Sequence, residues 1–371
     1  MSSGYPRQRV QRILSVVGAR PNFMKLAPLS RALHKRAVVE HAVIHTGQHY
    51  APELSESIFR DLDLAAPDTN LEVGSGSHAE QTAAIMTRLE PLLVARRPDV
   101  VLVYGDVNST LAAALVAAKL GVPVAHVEAG LRSHDWSMPE EINRVVTDRL
   151  ASLLLTPSRD ATANLLAEGL RPDRIHFVGN IMIDTLLTVL PAATACNAPE
   201  RYGVHPGRFL VATLHRPSNV DAPDRLRELM EVLTTVSNDL PVLFPAHPRT
   251  AAQLQAWHGR FSRGVHVLGA IPYIEMVSLV AQAAVVVTDS GGLQEETTYL
   301  GVPCVTVRPN TERPITCAEG TNRLAQTGGA VLDAVHSALA ERRNGVRSIE
   351  RWDGCSAERI ASVLCDGARY S

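Results

Sequence analysis

The chain has 371 residues, 46% of them hydrophobic and 20% charged, with a formal net charge of −2. This globular composition and length predict two domains and exclude a disordered or fibrous chain. The near-zero charge excludes a global pull toward nucleic acid or membrane. The basic N-terminus (Arg7, Arg9, Arg12) leads into an apolar run from Ile13 to Ala19. Arg20-Pro21 ends that run too early for a signal peptide, and no stretch approaches the roughly 20 apolar residues of a membrane span.

The first half alternates strands with helices. Strands are predicted at 13–17, 38–45, 100–104, 122–127, 153–155 and 175–178. Helices are predicted to 33, at 79–95 and 109–120, from 140, at 158–168 and to 190. Residues 61–78 and 130–139 read as loops. Residues 191–207, with Pro191, Pro199, Gly203, Pro206 and Gly207 and no clear periodicity, read as a linker. The alternation restarts with strands at 209–213, 242–244, 265–268, 285–287 and 304–307, and a last helix at 357–365. Repeated βα units predict an α/β fold whose parallel sheets bind ligands beyond the carboxyl ends of their strands. The five cysteines (Cys196, Cys304, Cys317, Cys355, Cys365) lack zinc spacing, which predicts reduced thiols in a cytoplasmic protein.

The polar clusters follow predicted strands. Val285-Val286-Val287 runs into Thr288-Asp289-Ser290-Gly291-Gly292 and then a helix stopped by Gly301 and Pro303. A glycine turn at a helix N-terminus offers free N–H groups at the positive end of the dipole, which suits phosphate. Ser290 adds a hydroxyl donor, and Glu296 lies one turn on, where its carboxylate could accept from sugar hydroxyls. Arg20 and Lys25 could face an anion after the first strand. The turn Gly18-Ala19-Arg20-Pro21 is not a dinucleotide fingerprint, so no nicotinamide cofactor is expected. His45 and His49 are four apart, but the intervening Gly47 and the lack of an acidic third ligand speak against a metal pair.

Asp106, Glu128 and Glu140 follow successive elements of the first half. Each has an ordinary structural explanation, as a cap, a buried carboxylate or a first-turn residue. Convergence of all three on one sheet edge would support acid–base chemistry. His215, Arg216 and Arg313 make the second half cationic at corresponding places. The pattern suits a nucleotide diphosphate on the second domain and a reacting sugar at the first.

Several blocks together resemble the non-hydrolysing UDP-N-acetylglucosamine 2-epimerases. They are Gly18-Ala19-Arg20-Pro21 with Lys25, Gly105-Asp106, His126-Val127-Glu128-Ala129-Gly130-Leu131-Arg132, Pro139-Glu140-Glu141-Ile142-Asn143-Arg144, Gly179-Asn180 with Asp184, His215-Arg216, Asp289 to Glu296, Thr311-Glu312-Arg313-Pro314, and Gly320-Thr321 with Arg323-Leu324. The resemblance implies two Rossmann-like parallel-sheet domains facing a cleft (a GT-B-like architecture). The domains would be 1–190 and 191–356, with the C-terminal helix 357–371 packing back on the first. It implies reversible conversion of UDP-GlcNAc to UDP-ManNAc through anti elimination of UDP, a 2-acetamidoglucal intermediate and re-addition, with no cofactor or metal. It implies Asp106, Glu128, Glu140 and His215 as catalytic. It assigns Arg20, Lys25, Arg132, Arg144, Tyr273, Ser290, Gly291, Gly292, Glu296 and Arg313 to substrate, in a cytoplasmic homodimer that binds neither nucleic acid nor membrane.

Two departures stand out. Many bacterial members follow the Gln-His of the second-strand loop with arginine and a further polar residue, in a loop that helps bind a second, activating UDP-GlcNAc. Here Gln48-His49 is followed by Tyr50-Ala51-Pro52, which puts activation by substrate in question. His215-Arg216 is followed by Pro217-Ser218-Asn219, not by a second arginine and a glutamate. The competing readings are a hydrolysing epimerase that releases ManNAc and UDP, a sugar transferase of the same architecture, and an inactive nucleotide-sugar-binding protein.

Overall fold

A computed structural model of the chain describes residues 10–48, 59–256, 264–340 and 348–366. It divides into two compact units, residues 1–185 with 350–371, and residues 186–349. The first is built on seven strands: β1 (Gln11–Val17), β2 (Val39–His45), β3 (Thr69–Asn70), β4 (Val100–Tyr104), β5 (Val124–Val127), β6 (Leu153–Thr156) and β7 (Ile175–Phe177). All pairs are parallel, in the order β3-β2-β1-β4-β5-β6-β7. The second holds β8 (Leu210–Thr213), β9 (Val242–Pro245), β10 (Val265–Leu268), β11 (Val285–Thr288), β12 (Cys304–Thr306) and β13 (Asn322–Leu324). These are also parallel, ordered β10-β9-β8-β11-β12-β13. In each sheet the strand order reverses once, between β1 and β4 and between β8 and β11. Ligands bind at such reversals in open α/β sheets, because the connections diverge and leave a crevice.

The central strands form because both their faces are apolar. All of β4 is buried. Along β11, Val285 and Val287 pack into one hydrophobic cluster and Val286 into another, which is the period-2 alternation of a strand covered on both sides. Each such valine contributes about 1.5–3 kcal/mol by burial. The helix Asn108–Lys119 lies close over its sheet because Ala112, Ala113, Ala114 and Ala117 present little bulk.

Three segments differ from the sequence-based expectation. Residues 61–78, read as loop, contain β3, and β13 was not expected at all. Both are edge strands of two or three residues, too short to show a period. Residues 191–207, read as irregular, are partly helical. The helix Ile181–Cys196 runs through Pro191, and Ala198–Arg201 follows it. A proline removes one N–H donor from a helix, and the apolar run around it is buried enough to hold the helix together.

The last helix, Ser356–Asp366, packs on the first unit through Ile360, Ala361 and Leu364. The Gln11 amide donates to the Leu364 carbonyl at 3.1 Å, and Arg36 donates to Ser362 Oγ at 3.0 Å. At its head, the buried Asp184 carboxylate accepts the N–H groups of Ser356 at 3.2 Å and Ala357 at 2.7 Å. Asp184 is therefore a fastener in this structure. Burial pushes its carboxyl above the usual range, and these two N–H groups oppose the rise. No helix among the described residues is long and apolar enough to cross a membrane. Asp184→Ala should lower unfolding free energy in urea by about 1–2 kcal/mol, because it strips the acceptor from a helix start. An unchanged midpoint would show that the fastener is dispensable.

Candidate active site

The parallel register brings β4 and β5 to the same edge, with Tyr104 opposite Val127. Gly105-Asp106 and Glu128 thus leave the sheet side by side. The Gly105 N–H donates to the Val127 carbonyl at 3.0 Å. Glu128 has φ +74°, a left-handed conformation that costs a non-glycine residue on the order of 1 kcal/mol. It is held there by β6, whose Leu155 carbonyl accepts the N–H groups of both Glu128 and Ala129 at 3.1 Å.

Each carboxylate has a different setting. Glu128 is buried and ion-paired with Lys25, which is buried as well. Gly105, at φ +61°, makes room for that ammonium: a Cβ there would lie 2.9 Å from Lys25 Nζ. Asp106 is more exposed and accepts from Arg144, while its carbonyl accepts from Asn143 Nδ2 at 2.8 Å. Glu140 sits half-buried in the first turn of the helix Pro139–Leu150, which also carries Asn143 and Arg144. Among the described residues no side chain donates to it. The neighbouring Glu141 has a holding role. It accepts the N–H groups of Ser133 and His134, each at 2.9 Å, and pairs with Arg144. Burial raises the Glu141 carboxyl, but the Ser133 N–H, the Arg144 charge and the other donors outweigh it and hold it below the usual range.

Every guanidinium nitrogen of Arg132, expected at substrate, donates to the protein: Nε and one terminal nitrogen to Glu168 at 2.7 and 2.9 Å, the other to Asp148 at 2.7 Å and to the Leu131 carbonyl at 2.7 Å. It is a buried cation that joins two carboxylates. Arg144 and Lys25, also expected at substrate, are committed to Asp106 and Glu128. Arg20 is exposed at the start of the helix Arg20–His34, beyond β1. His45 is buried and stacks against Phe23, whereas residues 49–52, and with them the metal-pair and activator readings, lie outside the described residues.

In the second unit, β8 and β11 run side by side with Thr213 opposite Thr288. His215 and Asp289 therefore emerge together. Asp289 is fully buried and accepts the N–H groups of His215 and Arg216 and the Asn219 amide. Its burial opposes ionisation, but the hydrogen bond and charge of His215, the Arg216 N–H and Asn219 outweigh it and hold the carboxyl at about 2. An ionised carboxylate only accepts, so His215 Nδ1, 2.7 Å away, carries a proton and Nε2 is the ring's outward nitrogen. Sequence reasoning read Asp289 only as a turn residue. Its place after a fully buried strand was the available sign that it needed a partner.

Beside this pair, Ser290, Gly291 and Gly292 open the helix Gly291–Leu300. Arg313 lies against it: a Cβ on Gly291 would sit 2.5 Å from the guanidinium. Arg313 is held by Glu295 at 2.9 Å and by Glu312, and Glu312 also takes Arg308 at 2.7 Å and Arg216 at 3.7 Å. The free N–H groups of this positive helix end, with Arg216, Arg308 and Arg313 grouped close by, suit an anion. Gln294 ties the pieces together, accepting from Thr311 Oγ1 at 2.6 Å and donating to the Ser290 carbonyl at 3.3 Å. Tyr273 and Glu296 are both buried, and the tyrosine hydroxyl donates to the glutamate at 2.7 Å.

Carboxylates thus gather at one switch point and an anion-suited helix end lies at the other. The family model for UDP-N-acetylglucosamine 2-epimerase matches residues 31–365. The UDP-N-acetylglucosamine 2-epimerase of Methanocaldococcus jannaschii is 40% identical over 362 residues, covering 95% of this chain and 98% of that protein. Its crystal structure in complex with UDP-GlcNAc and UDP matches with a TM-score of 0.90 at 39% identity, over 96% of this chain and 100% of that one. The UDP-2,3-diacetamido-2,3-dideoxy-D-glucuronate 2-epimerase of Pseudomonas aeruginosa is also 40% identical, over 87% of this chain and 90% of its own length. With the fold, the charged clusters and these relatives in agreement, the chain belongs to the UDP-N-acetylglucosamine 2-epimerase family.

Proposed function

We propose that this chain interconverts UDP-GlcNAc and UDP-ManNAc by inverting C2 of the sugar, with no cofactor and no metal. What supports this reading is that Asp106 and Glu128 leave adjacent strands at one edge of the first sheet, each with a buried cation beside it, while Asn143 and Arg144 tie the helix that carries Glu140 to Asp106. The C2–H bond is not acidic, so its cleavage needs help from the leaving group. One carboxylate takes the C2 proton, the electron pair forms the C1–C2 double bond, and the C1–O bond breaks with its pair going to UDP. UDP then re-adds at C1 while a carboxylate on the opposite face returns a proton to C2. Inversion requires groups on both faces, which a cluster of three carboxylates can supply.

The second unit serves the leaving group. The cationic helix end at Ser290, Gly291 and Gly292, with Arg313, suits the diphosphate, and His215 Nε2 suits the bridging oxygen as charge develops there. Because UDP must stay for re-addition, its grip is part of catalysis. Glu296, oriented by Tyr273, suits the ribose hydroxyls, and Arg20 suits phosphate. The same reading has the enzyme acting in the cytoplasm as a homodimer, which light scattering would test.

A second substrate is favoured by the Pseudomonas aeruginosa relative, whose name specifies a 2,3-diacetamido-glucuronate sugar. The chemistry at C2 would be the same. The ratio of kcat/KM for the two nucleotide sugars decides between them.

Incubation with UDP-GlcNAc in D2O should yield UDP-ManNAc carrying deuterium at C2, read by NMR. Stoichiometric free ManNAc and UDP would instead identify a hydrolase, and dependence on an added acceptor a transferase. Asp106→Asn, Glu128→Gln and Glu140→Gln should each lower kcat by about 10²–10⁴-fold while UDP still binds; wild-type turnover in any one removes that residue from the chemistry. Gly291→Ala should weaken UDP binding about tenfold in calorimetry, because the added methyl displaces Arg313 and loses a charge-assisted hydrogen bond. Unaltered affinity would exclude the helix end as the diphosphate site.

A further inference from the structure

Beneath the three carboxylates lies a fully buried pair that the chemistry above does not use. Asp148, on the helix Pro139–Leu150, has Oδ1 2.6 Å from His126 Nδ1, and its Oδ2 accepts the Gly130 N–H at 3.1 Å and Arg132 at 2.7 Å. His126, on β5, has Nε2 2.7 Å from the Gly105 carbonyl oxygen. Neither side chain has any solvent exposure.

The protonation of His126 follows from its neighbours. A carbonyl oxygen can only accept, so Nε2 carries a proton. Burial opposes ionisation of Asp148, but His126 and Arg132 outweigh it and hold its carboxyl below the usual range. The ring thus bridges the Asp148 carboxylate to the Gly105 carbonyl, and Arg132, itself anchored by Glu168, is the fixed cation on the other carboxylate oxygen.

The connections lead to the three carboxylates. Gly105 precedes Asp106, Gly130 follows Glu128 by two residues, and Asp148 shares its helix with Glu140. The turns involved are ones a chain does not hold unaided: Gly105 has φ +61°, Glu128 +74° and Gly130 +84°. A fully buried ion network is costly to desolvate, and an apolar residue of similar volume would serve simple stability as well or better. The network supplies direction, since each hydrogen bond fixes a particular backbone atom of a carboxylate-bearing turn.

We propose that Asp148 and His126 are positioning residues that set Asp106, Glu128 and Glu140 against one another for the transfer of the C2 proton. This rests on the acid–base reading of those three carboxylates.

Two measurements test it. In protein labelled with ¹⁵N in the histidine rings, one ring should show an Nε2–H protected from exchange, and its signal should vanish in His126→Asn. A ring with no proton on Nε2 at that position overturns the inference whatever the enzyme turns over. In kinetics, Asp148→Asn and His126→Gln should each lower kcat on the order of 100-fold, with KM and the Kd for UDP within about twofold of wild type, since only the proton-transfer geometry is disturbed. A variant that loses folded protein or thermal stability but keeps wild-type kcat per folded molecule would reduce the pair to a structural role and overturn the inference. A wild-type enzyme inert toward both nucleotide sugars would count against the function proposed above, and the ring spectrum would then decide the protonation on its own.

Discussion

A carboxylate taken out of water needs a cation, and this chain meets that demand at the carboxyl ends of both sheets. Lys25 stands against Glu128, Arg144 against Asp106, Arg132 against Asp148 and Arg313 against Glu295, while His126 and His215 hydrogen-bond to Asp148 and Asp289. Each pair is worth little as net stability, because desolvation consumes most of the attraction. Their effect is positional. Removing one partner strands a buried charge, so each pair holds two distant segments of chain in one arrangement.

The two units use the same device for different ends. In the first, Lys25, Arg132 and Arg144 are committed to carboxylates, and Asp106 and Glu140 remain partly exposed. In the second, Arg216, Arg308 and Arg313 gather beside a helix end that is itself positive. One arrangement suits moving a proton and the other suits holding a phosphate. Both stand at the reversal of strand order in their sheets, where neighbouring connections diverge.

Much of this was legible in the residues. Apolar runs such as 100–104 and 285–287 are strands because covered parallel strands are apolar on both faces, and the turns after them held the polar clusters. What escaped has physical causes. The edge strands β3 and β13 are too short to carry a pattern, and Pro191 disguised a helix that tertiary packing sustains. Asp148 and Glu168, the partners of Arg132, lie 16 and 36 residues away along the chain, so its commitment to them was hidden as well. The left-handed backbone of Glu128 was equally hidden, since a glycine is the usual sign of such a turn.

The sequence by itself determined that two parallel α/β sheets form, that carboxylates end the strands of one and cationic groups those of the other, and that the blocks carrying them resemble one enzyme family. Those properties live in periodicity and residue type, which are local. Only the tertiary structure decided which charges meet. The partner of a buried ion lies on another strand or helix, at a distance set by register and packing, so the Glu128–Lys25 pair, the Asp289–His215 pair and the His126–Asp148 pair appear only once the chain has folded.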